Sequence, residues 1–161
     1  MKWLKTFESY NSDIIVWRAG EIQSGCPIFF TKDLSLAEVF KKDFRCDVIY
    51  GAKLHLTNPF IMESSGTWEN LHIDEILKTL SKEDFFEMIN IEFKGAYTDL
   101  EDYFDNFHPL SSDVLANYLY ENKKEYDGLI LKNIDESDHK INTDDYIVFD
   151  TSKIEIVKTI K

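Results

Sequence analysis

Apolar and polar positions along the chain change period twice, giving strands at both ends and helices in the middle. Ile14-Ile15-Val16-Trp17 is a short unbroken apolar run, the pattern of a buried strand, and it ends on Arg18. Pro27-Ile28-Phe29-Phe30-Thr31 is a second such run. Asp33 or Ser35 can then accept from the free N–H groups of a short helix over Leu36-Ala37-Glu38-Val39-Phe40. Val48, Tyr50, Ala52, Leu54 and Leu56 alternate with more polar neighbours, which predicts a long strand stopping before Asn58-Pro59.

From there to Lys124 the period is helical. Ile73, Ile76, Leu77 and Leu80 fall at i, i+3, i+4 and i+7, the stripe of an amphipathic helix. Ser81 with Asp84, and Thr98 with Glu101, have the spacing of N-terminal caps for two more. Leu100, Tyr103, Phe104 and Phe107 form the apolar face of the second, and a fourth helix over 112–124 turns Leu115, Tyr118 and Leu119 inward. Strands return at Tyr126 to Lys132, Tyr146 to Phe149 and Ile154 to Val157, with a polar turn from Asp135 to Asn142. Burying the apolar runs of both ends requires them to pair with each other, which predicts an α+β fold with a mixed or split sheet.

Composition sharpens this. At 161 residues and 43% hydrophobic, with 12 Phe, 8 Tyr and 3 Trp, the chain suits one aromatic-rich core and a single domain over 1–161. No apolar run approaches the ~20 residues of a membrane span, and the opening Met-Lys-Trp-Leu-Lys-Thr-Phe-Glu lacks a signal-peptide core. Two cysteines, Cys26 and Cys46, are read as free thiols in a reducing cytoplasm, with one bridge between them as the alternative. A net charge of −12 argues against a nucleic-acid partner. Between Ile61 and Asp113 stand 13 acids and 3 lysines, either a solvated helical surface or a lure for a basic protein.

Most catalytic patterns are missing. There is no nucleophile elbow, no dinucleotide glycine motif and no phosphate loop, and His55, His72, His108 and His139 lack metal-ligand spacing, so no metal is expected. Arg18 stands out, because only it and Arg45 are arginine among 18 basic residues. It closes an apolar strand and precedes Ala19-Gly20, small residues that let a ligand reach the backbone. Its planar fork suits phosphate, ribose oxygens or a carboxylate, and a buried ion pair between strands is the equal alternative.

Three segments carry a family resemblance. Val16-Trp17-Arg18-Ala19-Gly20, Ile28-Phe29-Phe30-Thr31 with its helix ending at Phe40, and Asp145-Tyr146-Ile147-Val148-Phe149-Asp150 resemble the signature segments of the ADP-ribosyltransferase superfamily. In the diphtheria-toxin-like branch, which includes the poly(ADP-ribose) polymerases, these read Trp-His-Gly, Ile-Tyr-Phe and Glu-Tyr-Ile-Val-Tyr-Asp. Tyr126-Asp127-Gly128 is similar to a turn of small phage-borne members. The resemblance covers both ends of the chain and leaves 61–113 aside.

It implies an ADP-ribosyltransferase-like split sheet with a helical acidic insertion over about 61–124, and NAD+ as substrate. Arg18 would hold the ribose or phosphates, as in the cholera-toxin-like branch, and the Gly20 backbone the nicotinamide amide. Phe29 and Phe40 would sandwich the nicotinamide, and Thr31 matches the Ser/Thr cluster of the arginine-type branch. Asp145, or Asp144 beside it, would take the place of the catalytic Glu. Those residue types suit the chemistry: a carboxylate favours the oxocarbenium-like transition state more than the ground state, and aromatic faces suit a pyridinium cation. Ala37 stands where the polymerases have a serine, which points to transfer of one ADP-ribose and not to chains. The implied partner is a basic protein acceptor, and the implied setting is a phage or mobile element acting on host or CRISPR defence proteins. Two alternatives remain: an NAD+ glycohydrolase, since Arg18, Phe29 and Leu36-Ala37-Glu38 resemble RES-domain toxins, and a catalytically inactive acidic binding protein.

Overall fold

A computed structural model describes residues 10–11, 13–136 and 140–161; His139 and the opening octapeptide lie outside the described residues. In chain order the strands and helices are β1 (Tyr10–Asn11), β2 (Val16–Ala19), β3 (Ile28–Thr31), α1 (Leu34–Asp43), β4 (Ile49–Leu56), β5 (Pro59–Met62), β6 (Gly66–Thr67) and β7 (Asn70–Leu71). They continue with α2 (Ile73–Ile76), α3 (Lys82–Glu92), α4 (Leu100–Asp105), α5 (Ser112–Asn122), β8 (Gly128–Glu136), β9 (Ile141–Val148) and β10 (Ile154–Ile160). The fold is mixed α+β, and its sheet is mostly antiparallel. Strands run in the order β4-β2-β3-β9-β8-β6-β7, β10 pairs β4, and β5 and β6 lie parallel to β8.

The two ends of the chain therefore do pair. β3 lies between β2 and β9, so one row crosses three strands: Trp17 is opposite Thr31, and Thr31 is opposite Asp145. The continuous apolar runs at Leu129-Ile130-Leu131 and Tyr146-Ile147-Val148 follow from burial on both faces of these strands. Leu129, Leu131 and Ile147 face a core built with Phe60, Phe85, Tyr103, Leu115 and Leu119. Ile130, Tyr146 and Val148 face a second core with Val16, Phe30, Ala52, Leu54 and Leu56.

Several expected elements shift. Asp33, not Ser35, caps α1, its carboxylate accepting from Ser35 N–H at 2.9 Å. Ser81 caps α3 as its spacing predicts, accepting from Asp84 N–H at 3.0 Å. Asp99 displaces Thr98 as the cap of α4, because its side chain reaches Asp102 N–H at 2.9 Å. The stripe from Ile73 to Leu80 makes only the single turn α2: Thr79 and Leu80 N–H both donate to the Ile76 carbonyl, tightening the chain ahead of the Ser81 cap. Phe104 and Phe107, expected inward, are about half exposed while Tyr103 beneath them is buried. In β4 the inward phase begins on Ile49, not Val48, and slips at Gly51 and Ala52, opposite an irregularity between Ile156 and Lys158 of β10. The segment from 59 to 71, expected to open the helical insertion, contains β5, β6 and β7, and helices begin at Ile73. Of the polar turn expected from Asp135 to Asn142, Asp135 and Glu136 belong to β8 and Ile141 and Asn142 to β9, while 137–139 lie outside the described residues. Among the described residues no helix is long and apolar enough to cross a membrane. Both cysteines are free thiols.

Candidate active site

β2 ends where the chain turns away from the sheet, β3 and β9 present their polar ends beside it, and α1 packs behind. Between them lies a cavity of about 790 Å³, within the size range of small-molecule sites. Arg18, Gly20, Phe29, Thr31, Phe40 and Asp145 all line it. Residues more than a hundred positions apart in the chain thus meet at one crevice.

Arg18 is held by backbone. Its Nε donates to the Glu21 carbonyl at 2.9 Å and its Nη1 to the Phe29 carbonyl at 3.1 Å. Burial pushes the guanidinium down from its ordinary value, and the thiols of Cys26 and Cys46 act in the opposite sense. Among the described residues no carboxylate forms an ion pair with it, so the strand-linking ion pair weighed from composition is not what holds it. A partly desolvated guanidinium fixed by carbonyls can accept an anion as its counter-ion.

Gly20 has φ +85°, a left-handed conformation, and a side chain there would meet Cys46 Sγ at 3.1 Å. Its N–H donates to the Val48 carbonyl at 2.9 Å. The expectation that the Gly20 backbone grips a carboxamide is therefore narrowed to its carbonyl oxygen, an acceptor for an amide N–H. Gly51 has a separate reason to be glycine: a Cβ would stand 2.7 Å from the Trp17 ring, which lines the cavity. Phe29 and Phe40 are both half-buried on the cavity wall. Phe40 also contacts Phe44, at 5.9 Å between ring centres, so the wall is apolar on the α1 side.

The polar end is built on β3, β8 and β9. Burial pushes the Asp145 carboxyl up to about 8, with Glu136 and Asp144 adding repulsion and a hydrogen bond from Thr31 holding it back. The Thr31 hydroxyl also lies 3.4 Å from that of Thr143. At neutral pH the free protein therefore carries Asp145 mostly protonated. Asp144 is engaged elsewhere. It accepts from Asn133 N–H at 2.9 Å, pairs with Lys32 at 3.6 Å, and does not line this cavity. Ala37 is fully buried in α1 and also does not line it.

The sequence reading missed nine contributors to the wall: Glu21, Gln23, Asp43, Phe44 and Cys46 beside the signature segments, and four farther off. Trp68, Ser112 and Asp113 come from the segment between the signature strands, and Glu136 from the end of β8. Ser112 N–H donates to the Trp68 carbonyl at 2.8 Å, tying these two pieces of the rim together. Periodicity could not find these four, because Trp68 stands in the turn between β6 and β7 and the others at the ends of α5 and β8. Comparison with protein-family models, with curated proteins and with solved structures finds no match to this chain.

Proposed function

We infer that this protein is a mono-ADP-ribosyltransferase: it binds NAD+ in this cavity, breaks the nicotinamide–ribose bond and passes ADP-ribose to a basic protein acceptor. The observation that carries the reading is the convergence of Arg18, Gly20, Phe29, Thr31, Phe40 and Asp145 on one cavity. The three segments bearing the ADP-ribosyltransferase resemblance supply all six. An ADP-ribosyltransferase-like split sheet with the acidic region as an insertion goes with the same reading.

The chemistry suits the residues. Arg18, without a carboxylate partner, would take the pyrophosphate or ribose of NAD+. Phe29 and Phe40 would offer faces to the pyridinium cation, and the Gly20 carbonyl an acceptor to its amide. Nicotinamide leaves as positive charge grows on the ribose; cationic charge in the cavity favours ionised Asp145, whose proton passes to solvent when NAD+ binds. A carboxyl whose ionisation is unfavourable in the free protein then stabilises the transition state more than the ground state. The acidic segment 61–113 would attract a basic acceptor.

The test is incubation of purified protein with NAD+ labelled on the adenylate, with and without a lysate of candidate host proteins. Nicotinamide release and label on protein are expected, and both should vanish in Asp145→Ala. Rapid nicotinamide release with no protein label would instead make the chain a glycohydrolase. No release under any condition, with biological effect retained in Asp145→Ala, would make it a binding protein and end the proposal.

A further inference from the structure

A groove of about 580 Å³ lies between α3 and α5. Each helix presents one row of side chains to it: Met88, Ile91 and Glu92 from α3, and Val114, Asn117 and Glu121 from α5. Spacings of three, four and seven residues put each row on a single helix face. The walls are tied together by the protein itself. The Tyr118 hydroxyl donates to the Glu87 carboxylate at 2.7 Å, and Lys123 pairs with Asp84 at 2.7 Å, both linking α5 to α3. The groove is therefore preformed.

Its lining combines an apolar anchor with charge of one sign. Ile91 is 58% exposed although it stands in α3, and Val114 on the opposite wall is half-buried. Glu92, Asp113 and Glu121 also line the groove and are exposed, and among the described residues no lysine or arginine does. Taking Ile91 out of water favours association, and the carboxylates around it select a cationic partner. The groove also leads to the candidate active site. Asp113, at the start of α5, lines both, while Ser111 lines the groove and Ser112 the cavity. From Asp113 to Glu121 the helix rises about 12 Å, room for an extended segment of about four residues.

We propose that this groove docks the protein acceptor, taking an extended stretch of about four residues that carries lysine or arginine around one apolar side chain. The apolar residue seats against Ile91 and Val114, and the cations meet Glu92 and Glu121. At Asp113 the segment reaches the cavity mouth and delivers the side chain to be modified. The proposal rests on the transferase reading and adds where and by what chemistry the acceptor is recognised.

Two assays on the full chain test it. In the first, a fluorescein-labelled Lys-Arg-Leu-Lys-Arg peptide is titrated with protein and read by anisotropy, with Glu-Asp-Leu-Asp-Glu as control. Wild type should bind the basic peptide alone, and more weakly as salt rises. Glu92→Lys/Glu121→Lys should weaken binding about tenfold or more, since two attractions become repulsions. Ile91→Ser should weaken it about 3- to 10-fold. Both variants should keep wild-type NAD+ affinity, because neither touches the cavity lining. In the second assay, label transfer from NAD+ to lysate proteins should fall by a similar factor in both. Equal binding of the two peptides, or variants that bind the basic one as wild type does, overturns the proposal. A wild-type dimer that Ile91→Ser breaks would make the occupant a second copy of the chain and overturn it too. Protein labelling at the wild-type level in both variants sinks this proposal alone. Wild-type protein that never consumes NAD+ sinks the transferase reading, and the acceptor role of the groove with it.

Discussion

Asp145→Asn should make the protein more stable and inactive at once, and the sign of the stability change depends on pH. The carboxyl titrates near 3.8 in an unfolded chain and at about 8 in the folded one. Between those values the folded state binds the extra proton, so stability falls as pH rises through this window. Each tenfold change in proton affinity is about 1.4 kcal/mol, which sets a ceiling of about 6 kcal/mol above pH 8. Asp145 keeps access to the cavity, and solvent there screens the charge, so a gain of about 1–3 kcal/mol is expected for the neutral amide. In a chain of this size that is a rise in Tm of roughly 3–10 °C at pH 8.5. Near pH 4 both proteins are uncharged at this position and the difference should close. Thermal unfolding at a series of pH values, read by circular dichroism, measures it. An Asn variant that is less stable than wild type, or whose advantage is the same at every pH, would refute the assignment of a strained acid. An Asn variant that still released nicotinamide at the wild-type rate would separate the strain from the chemistry.

Three further outcomes follow from the same geometry. Arg18→Lys keeps the charge but cannot donate to both the Glu21 and Phe29 carbonyls; NAD+ affinity by calorimetry should drop by about 10- to 100-fold, a loss of about 1.4–3 kcal/mol. If affinity stays within twofold of wild type, Arg18 is not the anion site. NAD+ binding should release protons near pH 7, because the pyridinium charge lowers the proton affinity of Asp145; calorimetry in buffers of different ionisation heat reads this, and equal heats in all of them would count against it. Asp127 accepts from Thr57 N–H at 2.6 Å, Thr57 hydroxyl at 2.8 Å and Asn58 N–H at 3.0 Å. Burial pushes its carboxyl up, but these bonds and Lys153 outweigh that and hold it below its ordinary value. Its stabilisation is therefore present above the unfolded value and lost as pH falls through the folded one. Asp127→Ala should cost about 1–3 kcal/mol at pH 7 by urea unfolding, and no loss would show that the turn before β8 does not depend on it.

The sequence made some of this architecture visible and hid the rest for identifiable reasons. Strands buried on both faces announce themselves as unbroken apolar runs, which is why Ile28 to Thr31 and Tyr146 to Val148 were readable. β5, β6 and β7 were not readable, because two of them are only two residues long and pairing, not periodicity, defines them. Caps were legible to within one residue: Asp99 beat Thr98 since both carry an acceptor and geometry alone chooses between them. Six candidate site residues could be named from segment likeness. Their meeting could not be seen, because it depends on β3 lying between β2 and β9.

The charge state of the site was least legible, and it bears most directly on mechanism. Read from sequence, Asp145 is an ordinary ionised carboxylate beside a basic residue. In the fold the nearest influences are reversed. Arg18 lines the same cavity but bonds to carbonyls, while Glu136 and Asp144 crowd Asp145 with like charge. No window of local sequence contains that arrangement, since Glu136 and Asp145 lie on neighbouring strands, opposite Ile141 and Leu131, and Thr31 reaches Asp145 from the other end of the chain. The consequence is a site whose acid is held unfavourably until a cation arrives. A cavity built to carry its acid ionised at rest would have placed Arg18 against it, and the two carbonyls that hold the guanidinium keep that pairing from forming.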